Sequence, residues 1–108
     1  MTYKPDNWVI VKIMDDDGAL QGYKVLGGWS GGYLDGDSWR MNSGITSYKD
    51  NGDSYSFYGF TGSEYKCNKG TETVRLNMAE PIKMIEEFPN LAKIVDVQEA
   101  LETLEVAE

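Results

Sequence analysis

From Trp8 to Met14 the chain reads WVIVKIM, apolar at almost every position and rich in β-branched residues. A run without alternation is the pattern of a strand covered on both faces, so it is expected at the centre of a sheet. Asp15, Asp16, Asp17 and Gly18 supply a turn, and Gly22 to Leu26, GYKVL, returns as a second strand to complete a hairpin. Further along, Asn51-Gly52 meets the positive φ required at the centre of a type I′ turn. That turn places Asp50 opposite Asp53, Tyr48 opposite Tyr55, Thr46 opposite Phe57 and Ile45 opposite Tyr58. A second tight turn at Thr61-Gly62 sets Tyr58 against Tyr65 and Phe60 against Ser63. In this register Ile45, Tyr58, Phe60, Tyr65 and Cys67 make the core face, while Tyr48, Tyr55 and Phe57 share the outer face with Glu64 and Lys66. Glu72 to Leu76 is expected as a last strand that closes or caps the sheet.

Glycine disappears after about residue 77, and Glu, Leu, Ile and Met take over. Met78, Ile82, Ile85 and Phe88 recur at spacings of three and four around Pro81, which predicts a helix that Phe88-Pro89-Asn90 ends. Ile94, Val97, Leu101 and Leu104 keep the same spacing, favouring a second helix over Leu91–Glu105. The alternative is a short strand, Ala92 to Val95, followed by a shorter helix with Asp96 and Glu99 as its capping box. The expected fold class is α+β: a twisted antiparallel sheet of about five or six strands, curled toward a half-barrel, with one or two C-terminal helices packed on one face. All 108 residues are expected to form one domain, β-rich over 1–77 and helical over 78–108, because no Pro/Ser/Gly linker separates the halves.

Charge narrows the partners. Ten basic residues stand against 18 acidic ones, a net charge of −8, which disfavours direct binding to nucleic acid. The acid excess gathers near the C-terminus, from Glu86 to Glu108, as a solvated helix face or as a surface for a basic partner. The opening MTYKPDNW lacks the basic-then-apolar order of a leader, and no segment approaches the roughly 18 apolar residues of a membrane span, so a soluble, cytoplasmic protein is expected.

Candidate chemistry is sparse. There is no histidine, which removes the commonest general base and zinc ligand, and the single Cys67 has no partner for a disulfide or an imidazole-activated thiolate. An enzyme is therefore not expected, nor a cofactor or a metal centre. The stretches DDDG at 15–18, DGDS at 35–38 and DNGD at 50–53 lack calcium-loop spacing and read as turns, although Asp50 facing Asp53 would be a like-charge pair open to weak cation binding.

The stretch that draws attention is GGWSGGYLDGDSWR, residues 27–40. Gly36-Asp37-Ser38-Trp39 repeats as Gly52-Asp53-Ser54-Tyr55, two similar exits from a turn into a strand. By that analogy Ser38 to Ile45 is a strand with Trp39 and Met41 on one side and Arg40 and Asn42 on the other. Trp39 then becomes a packing residue, and Gly27 to Asp35 an irregular connection that holds Trp29 and Tyr33. The run YKVLGGWSGGYLDGDSWRMNSGI, residues 23–45, together with GSEYKC at 62–67, resembles a family of small uncharacterised proteins of tailed phages, including phages of marine bacteria. The resemblance implies a phage protein made in a bacterial cytoplasm and brings no assigned activity or site residues.

Two functions fit these features. In the first, the chain is a non-enzymatic interaction protein that binds and modulates or inhibits a host protein, a basic one included. Trp29, Tyr33, Trp39, Tyr48 and Tyr55, with Arg40, are then the surface anchors, Trp and Tyr being preferred in binding hot spots. In the second, the aromatic and glycine-rich surface takes a small polar ligand, a nucleotide or saccharide, by stacking on Trp29, Tyr33 and Trp39 while Arg40 reaches its polar groups.

Overall fold

A computed structural model describes residues 1–32 and 36–107. In chain order its elements are strands β1 (Thr2–Tyr3), β2 (Asn7–Met14), β3 (Leu20–Gly32), β4 (Gly36–Met41), β5 (Ile45–Asp50), β6 (Ser54–Gly59) and β7 (Glu64–Asn68), helix α1 (Ala79–Glu87), strand β8 (Ala92–Val95), helix α2 (Val97–Leu101) and strand β9 (Glu105–Val106). The class is α+β, as expected. The strands divide into two sheets, ordered β1-β7-β6-β5-β9 and β4-β3-β2-β8, and neither closes into a barrel. β1 runs parallel to β7 and β9 parallel to β5; the other pairs are antiparallel.

The apolar run is central and covered on both faces. β2 lies between β3 and β8, with Ile10 opposite Val25 and Val95. Its Trp8 and Ile10 face the five-stranded sheet and pack with Tyr23, Val25, Tyr55, Phe57, Tyr65 and Cys67. Its Val9 and Val11 face the other way, toward Leu26, Met78, Ile82 and Ile85. The result is three layers, sheet on sheet on helix, and alternation along one strand assigns each residue to a layer. The two helical segments therefore lie on opposite faces of the four-stranded sheet: Met78, Ile82 and Ile85 cover one, whereas Val97, Ala100 and Leu101 fill the gap between the sheets. Trp8 is fully buried, its indole nitrogen donates to the Asn68 carbonyl at 2.7 Å, and its ring meets Tyr55 edge-on at 6.4 Å.

The expected hairpins form, but their registers differ from those expected. The first turn closes through Asn51 N to Ser54 O, one residue beyond Asn51-Gly52 as the turn centre, so Tyr48 pairs with Phe57 and Asp50 with Tyr55. The second is a three-residue loop, Phe60 to Gly62, with Gly62 at φ +84° and Gly59 bonded to Ser63. That extra residue sets Phe57 against Tyr65 and Tyr58 against Glu64. A shift of one residue exchanges the faces of a strand. Tyr55 and Phe57 consequently join Tyr65 and Cys67 in the core, and Phe60 points outward with 76% of its surface exposed. A bulge between Ile45 and Ser47 returns Ile45 to the buried face. The like-charge pair at Asp50 and Asp53 is replaced by an ion pair, Asp50 to Lys69 at 2.8 Å, and the Lys69 ammonium holds the Asp50 carboxyl below its usual range.

Other expectations change more. Gly27 to Gly32 is not an irregular connection but the second half of β3. Gly28 explains the choice of residue there: a Cβ on it would collide with Asn77 Oδ1. Asn77 is buried under the strand, exchanges amide hydrogen bonds with the buried Asn7 at 2.6 and 3.2 Å, and also donates to Ser30 Oγ. Glu72 to Leu76 makes no strand; a single bridge ties Glu72 to Trp8. Instead of a helix over Leu91–Glu105, the strand and shorter helix of the alternative are found, with β8 bonded to β2 and α2 capped by Asp96, whose carboxylate accepts from Gln98 N at 2.8 Å, while Glu99 pairs with Lys12 at 3.6 Å instead of completing a capping box. The β-branched pair Ile94-Val95 and the open edge of β2 outweigh the helical spacing. Two of the three aspartate clusters are turns: Asp15 Oδ1 accepts from Asp17 N and Ala19 N, both at 2.9 Å, and Asp50 Oδ1 accepts from Gly52 N at 2.8 Å. Of the third, Gly36 to Ser38 already belong to β4 and Asp35 lies outside the described residues. No helix among the described residues is long and apolar enough to cross a membrane.

Two outcomes follow from this packing. Gly28→Ala is expected to lower unfolding stability by about 2–3 kcal/mol in urea titration, since the new methyl displaces a buried amide pair and leaves its groups unmatched. Glu72 is half-buried; desolvation raises its pKa above the ordinary 4.5, against the Val97 amide that donates to its Oε2 at 2.8 Å. Its contribution to stability is therefore present at low pH and lost as pH rises through the folded value. Glu72→Gln should match the parent near pH 4 and become the more stable of the two by pH 7, read from paired urea midpoints.

Candidate functional site

Alternation along β4 sends Trp39 and Met41 to the α1 side of the sheet and Arg40 to the opposite side, as the sequence predicts. Trp39 nevertheless does not pack fully. It stands at the rim of an apolar groove of about 610 Å³ between the edge of the four-stranded sheet and α1. Ile13 and Met14 come from the end of β2, Met41 from β4, Pro81, Met84 and Ile85 from α1, Phe88 from its end, and Leu91 and Ala92 from the chain entering β8. The helix is tethered at its C-terminal end, where Phe88 accepts from Leu91 N and Ala92 N, and Leu91 accepts from Met14 N. Four large apolar side chains remain open there: Trp39 at 38%, Met84 at 55%, Phe88 at 56% and Leu91 at 37% exposure. Isolated apolar side chains on a surface are ordinary; a contiguous lining of this kind marks an interaction site.

The rim is acidic. Glu80 and Glu87 are exposed on α1, four and three residues from Met84 and so on its flank of the helix, and Asp16 and Asp17 follow Met14. Lys83, three residues from Glu80 and four from Glu87, is their neighbour on the helix and turns away from the groove toward Ala79 and Glu86, so four carboxylates stand against one ammonium group here.

No family model, curated protein or solved structure matches this chain. Function is therefore argued from the site itself.

The residues chosen from sequence are distributed differently. Trp29 is half-buried on β3, with its indole nitrogen donating to the Lys4 carbonyl at 3.1 Å and its ring edge-on to Tyr3 at 6.4 Å. Arg40 lies over the other aromatic partner of this group, its guanidinium 4.7 Å from the Tyr3 ring centre, so Trp29 and Arg40 do come together, around a residue not singled out beforehand. Tyr55 is buried at 6% exposure, beneath Lys69, and Tyr48 is half-buried against it with ring centres 6.5 Å apart. The expected surface formed by those two tyrosines is corrected: the shifted hairpin register places them against the core. Tyr33 lies outside the described residues.

The sequence does not mark Met84, Phe88 and Leu91 as site residues, because Phe88 fits the stripe of Met78, Ile82 and Ile85. A signal was present in Pro81, Met84 and Phe88, a second apolar row at three-four spacing beside the first. The first row covers the sheet; of the second, Pro81 is buried and Met84 and Phe88 are left open. Iodide quenching separates the tryptophans: Trp39→Phe should remove more of the accessible fluorescence than Trp29→Phe, while the Trp8 emission persists at high iodide. Equal losses from the two variants would contradict the open position of Trp39.

Proposed function

We propose that this chain is a non-enzymatic interaction protein whose apolar groove receives an amphipathic, basic segment of a partner protein. The single observation behind this reading is the contiguous open lining of Trp39, Met84, Phe88 and Leu91 beside an acidic rim. A small-molecule site needs a few polar groups to orient its ligand, and the groove lining is almost wholly apolar. Side chains of a helix at i, i+3, i+4 and i+7 suit such a trough, and lysines or arginines along the helix's margins would meet Glu80, Glu87, Asp16 and Asp17. Apolar contact then supplies most of the affinity and the acidic rim the orientation and the association rate. Given the resemblance to tailed-phage proteins, the partner under this reading is a host protein in the bacterial cytoplasm, modulated or inhibited by occupation of its helix.

The test uses a synthetic helical peptide with leucines at those four positions and lysines elsewhere, and a matched peptide with glutamates in place of the lysines. The wild-type chain should bind the basic peptide in the micromolar range, bind the acidic one at least tenfold more weakly, and lose at least tenfold of its affinity on Phe88→Asp. Equal binding by Phe88→Asp would sink the reading. So would a dimer, seen by light scattering, that Phe88→Asp converts to monomer, because the groove would then be occupied by a second copy.

A further inference from the structure

Away from the groove, a second concavity opens on the opposite side of β4, where the edge of the four-stranded sheet meets the β1 end of the five-stranded one. Its volume is about 220 Å³, and it is lined by Arg40, Met41, Asn42, Ser43, Thr61, Ser63 and the two tyrosines Tyr3 and Tyr65. The lining has three properties in combination. Its charge is that of one guanidinium, with no carboxylate among the lining residues, although the chain as a whole carries −8. Its remaining polar groups are three aliphatic hydroxyls, two phenols and a primary amide, all able to donate.

The third property is an orphan donor. Asn42 is buried at 5% exposure, and its Oδ1 accepts from Val25 N at 2.9 Å, which fixes the side chain. Its Nδ2 is buried and has no hydrogen-bond partner among the described residues. An unmatched buried amide is uncommon enough in a native structure to require a reason, and an acceptor delivered by a ligand is one. Space beside it is kept by Gly59, where a Cβ would approach Ser43 Oγ at 3.0 Å and Asn42 Nδ2 at 3.4 Å. Ser43 Oγ already receives Thr61 N at 3.4 Å, so the loops after β4 and β6 are held together at the mouth.

Arg40 is pre-positioned. Its guanidinium stacks on Tyr3 at 4.7 Å, and Tyr3 in turn rests on the buried Tyr65 with ring centres 5.0 Å apart. Stacking of this kind fixes the plane of the fork and leaves its edge N–H groups available for an oxyanion. Burial raises the Tyr65 pKa, partly opposed by the Arg40 charge, so the phenol stays protonated and a donor across the physiological range.

We propose that this cleft binds a small organic or inorganic oxyanion, a carboxylate or phosphate group paired with the Arg40 guanidinium and accepting from the surrounding hydroxyls and the Asn42 amide. The volume lies below the roughly 300 Å³ at which sites for drug-sized ligands begin, which favours a compact acid over a nucleotide. Arg40 and Trp39 point to opposite sides of β4, and Met41 is the one residue that lines both the cleft and the groove.

The test is a pair of titrations of the isotope-labelled full chain, one with sodium succinate and one with sodium phosphate, against sodium chloride at matched ionic strength. Saturable amide shifts are expected at residues 42–43 and 61–63 and at Arg40 Nε, with either salt but not with chloride, while amides of 84–91 stay in place. Succinate saturating alone would assign a carboxylate, and phosphate alone a phosphate group. Arg40→Gln should raise the dissociation constant at least tenfold, and the milder Ser43→Ala, which leaves the charge in place, about threefold. Shifts that track chloride, or that survive Arg40→Gln unchanged, overturn the proposal. Because Arg40 is exposed on an edge strand, its replacement should leave the folded spectrum intact, and the unshifted signals of β2 and β3 check this.

Discussion

Burial of β2 on both faces is the constraint from which the rest of the architecture follows. Trp8 and Ile10 have no exposed surface on one side, nor does Val11 on the other. A strand of this kind cannot lie in a two-layer protein; it requires a second sheet across one face and a helix across the other. The five-stranded sheet and α1 are those covers. At one end of β2 the buried Asn7–Asn77 pair adds a directional element, because two facing amides match only in one arrangement and tie the segment before α1 to the first residue of the strand. Apolar packing decides that the layers meet, and this pair helps decide in which register.

Features carried by local chemistry were legible in the chain. The β-branched run gave the central strand, the aspartate clusters at 15–18 and 50–53 gave turns, and the Met78-Ile82-Ile85 row gave the helix with its covering face. Those that depend on a count of residues across a turn were not. Asn51-Gly52 invites a turn centred on itself, yet Ser54 accepts the closing bond, and the loop at Phe60–Gly62 holds three residues where two also suit the glycine. Each choice costs little locally, but the second moves Tyr65 and Cys67 onto the face shared by Tyr55 and Phe57. With aromatics at Tyr55, Phe57, Tyr58 and Phe60, both faces of the strand look equally fit for a core. The groove was hidden for a different reason: Trp39 and Phe88 are far apart in sequence, and only the three-layer stacking brings them to the same trough.

The glycine-aromatic segment at 27–40 divides accordingly. Gly28 is a clearance for a buried amide, Trp29 a half-buried wedge beside Tyr3, and Trp39 an open wall of the groove. One strand, β4, serves two surfaces, since Trp39 lines the apolar trough, Arg40 and the following Asn42 line a polar cleft, and Met41 at the strand's end borders both. A chain of this size gains two chemically unlike surfaces from the period-two alternation of a single edge strand.

The borders of the two sheets have a further consequence. A protein with an open apolar trough and exposed strand margins would be prone to polymerise by adding one backbone to another. Here β1 and β9, which flank the five-stranded sheet, contribute only two residues each, and both run parallel to their neighbours. On the other sheet, β4 carries Asp37 and Arg40, and β8 is four residues long with Lys93 within it. Short or charged margins offer poor templates for an incoming strand. Self-assembly through main-chain ladders is thereby discouraged, and contact with other molecules is directed to side chains on the sheet faces, where shape and charge can discriminate between them.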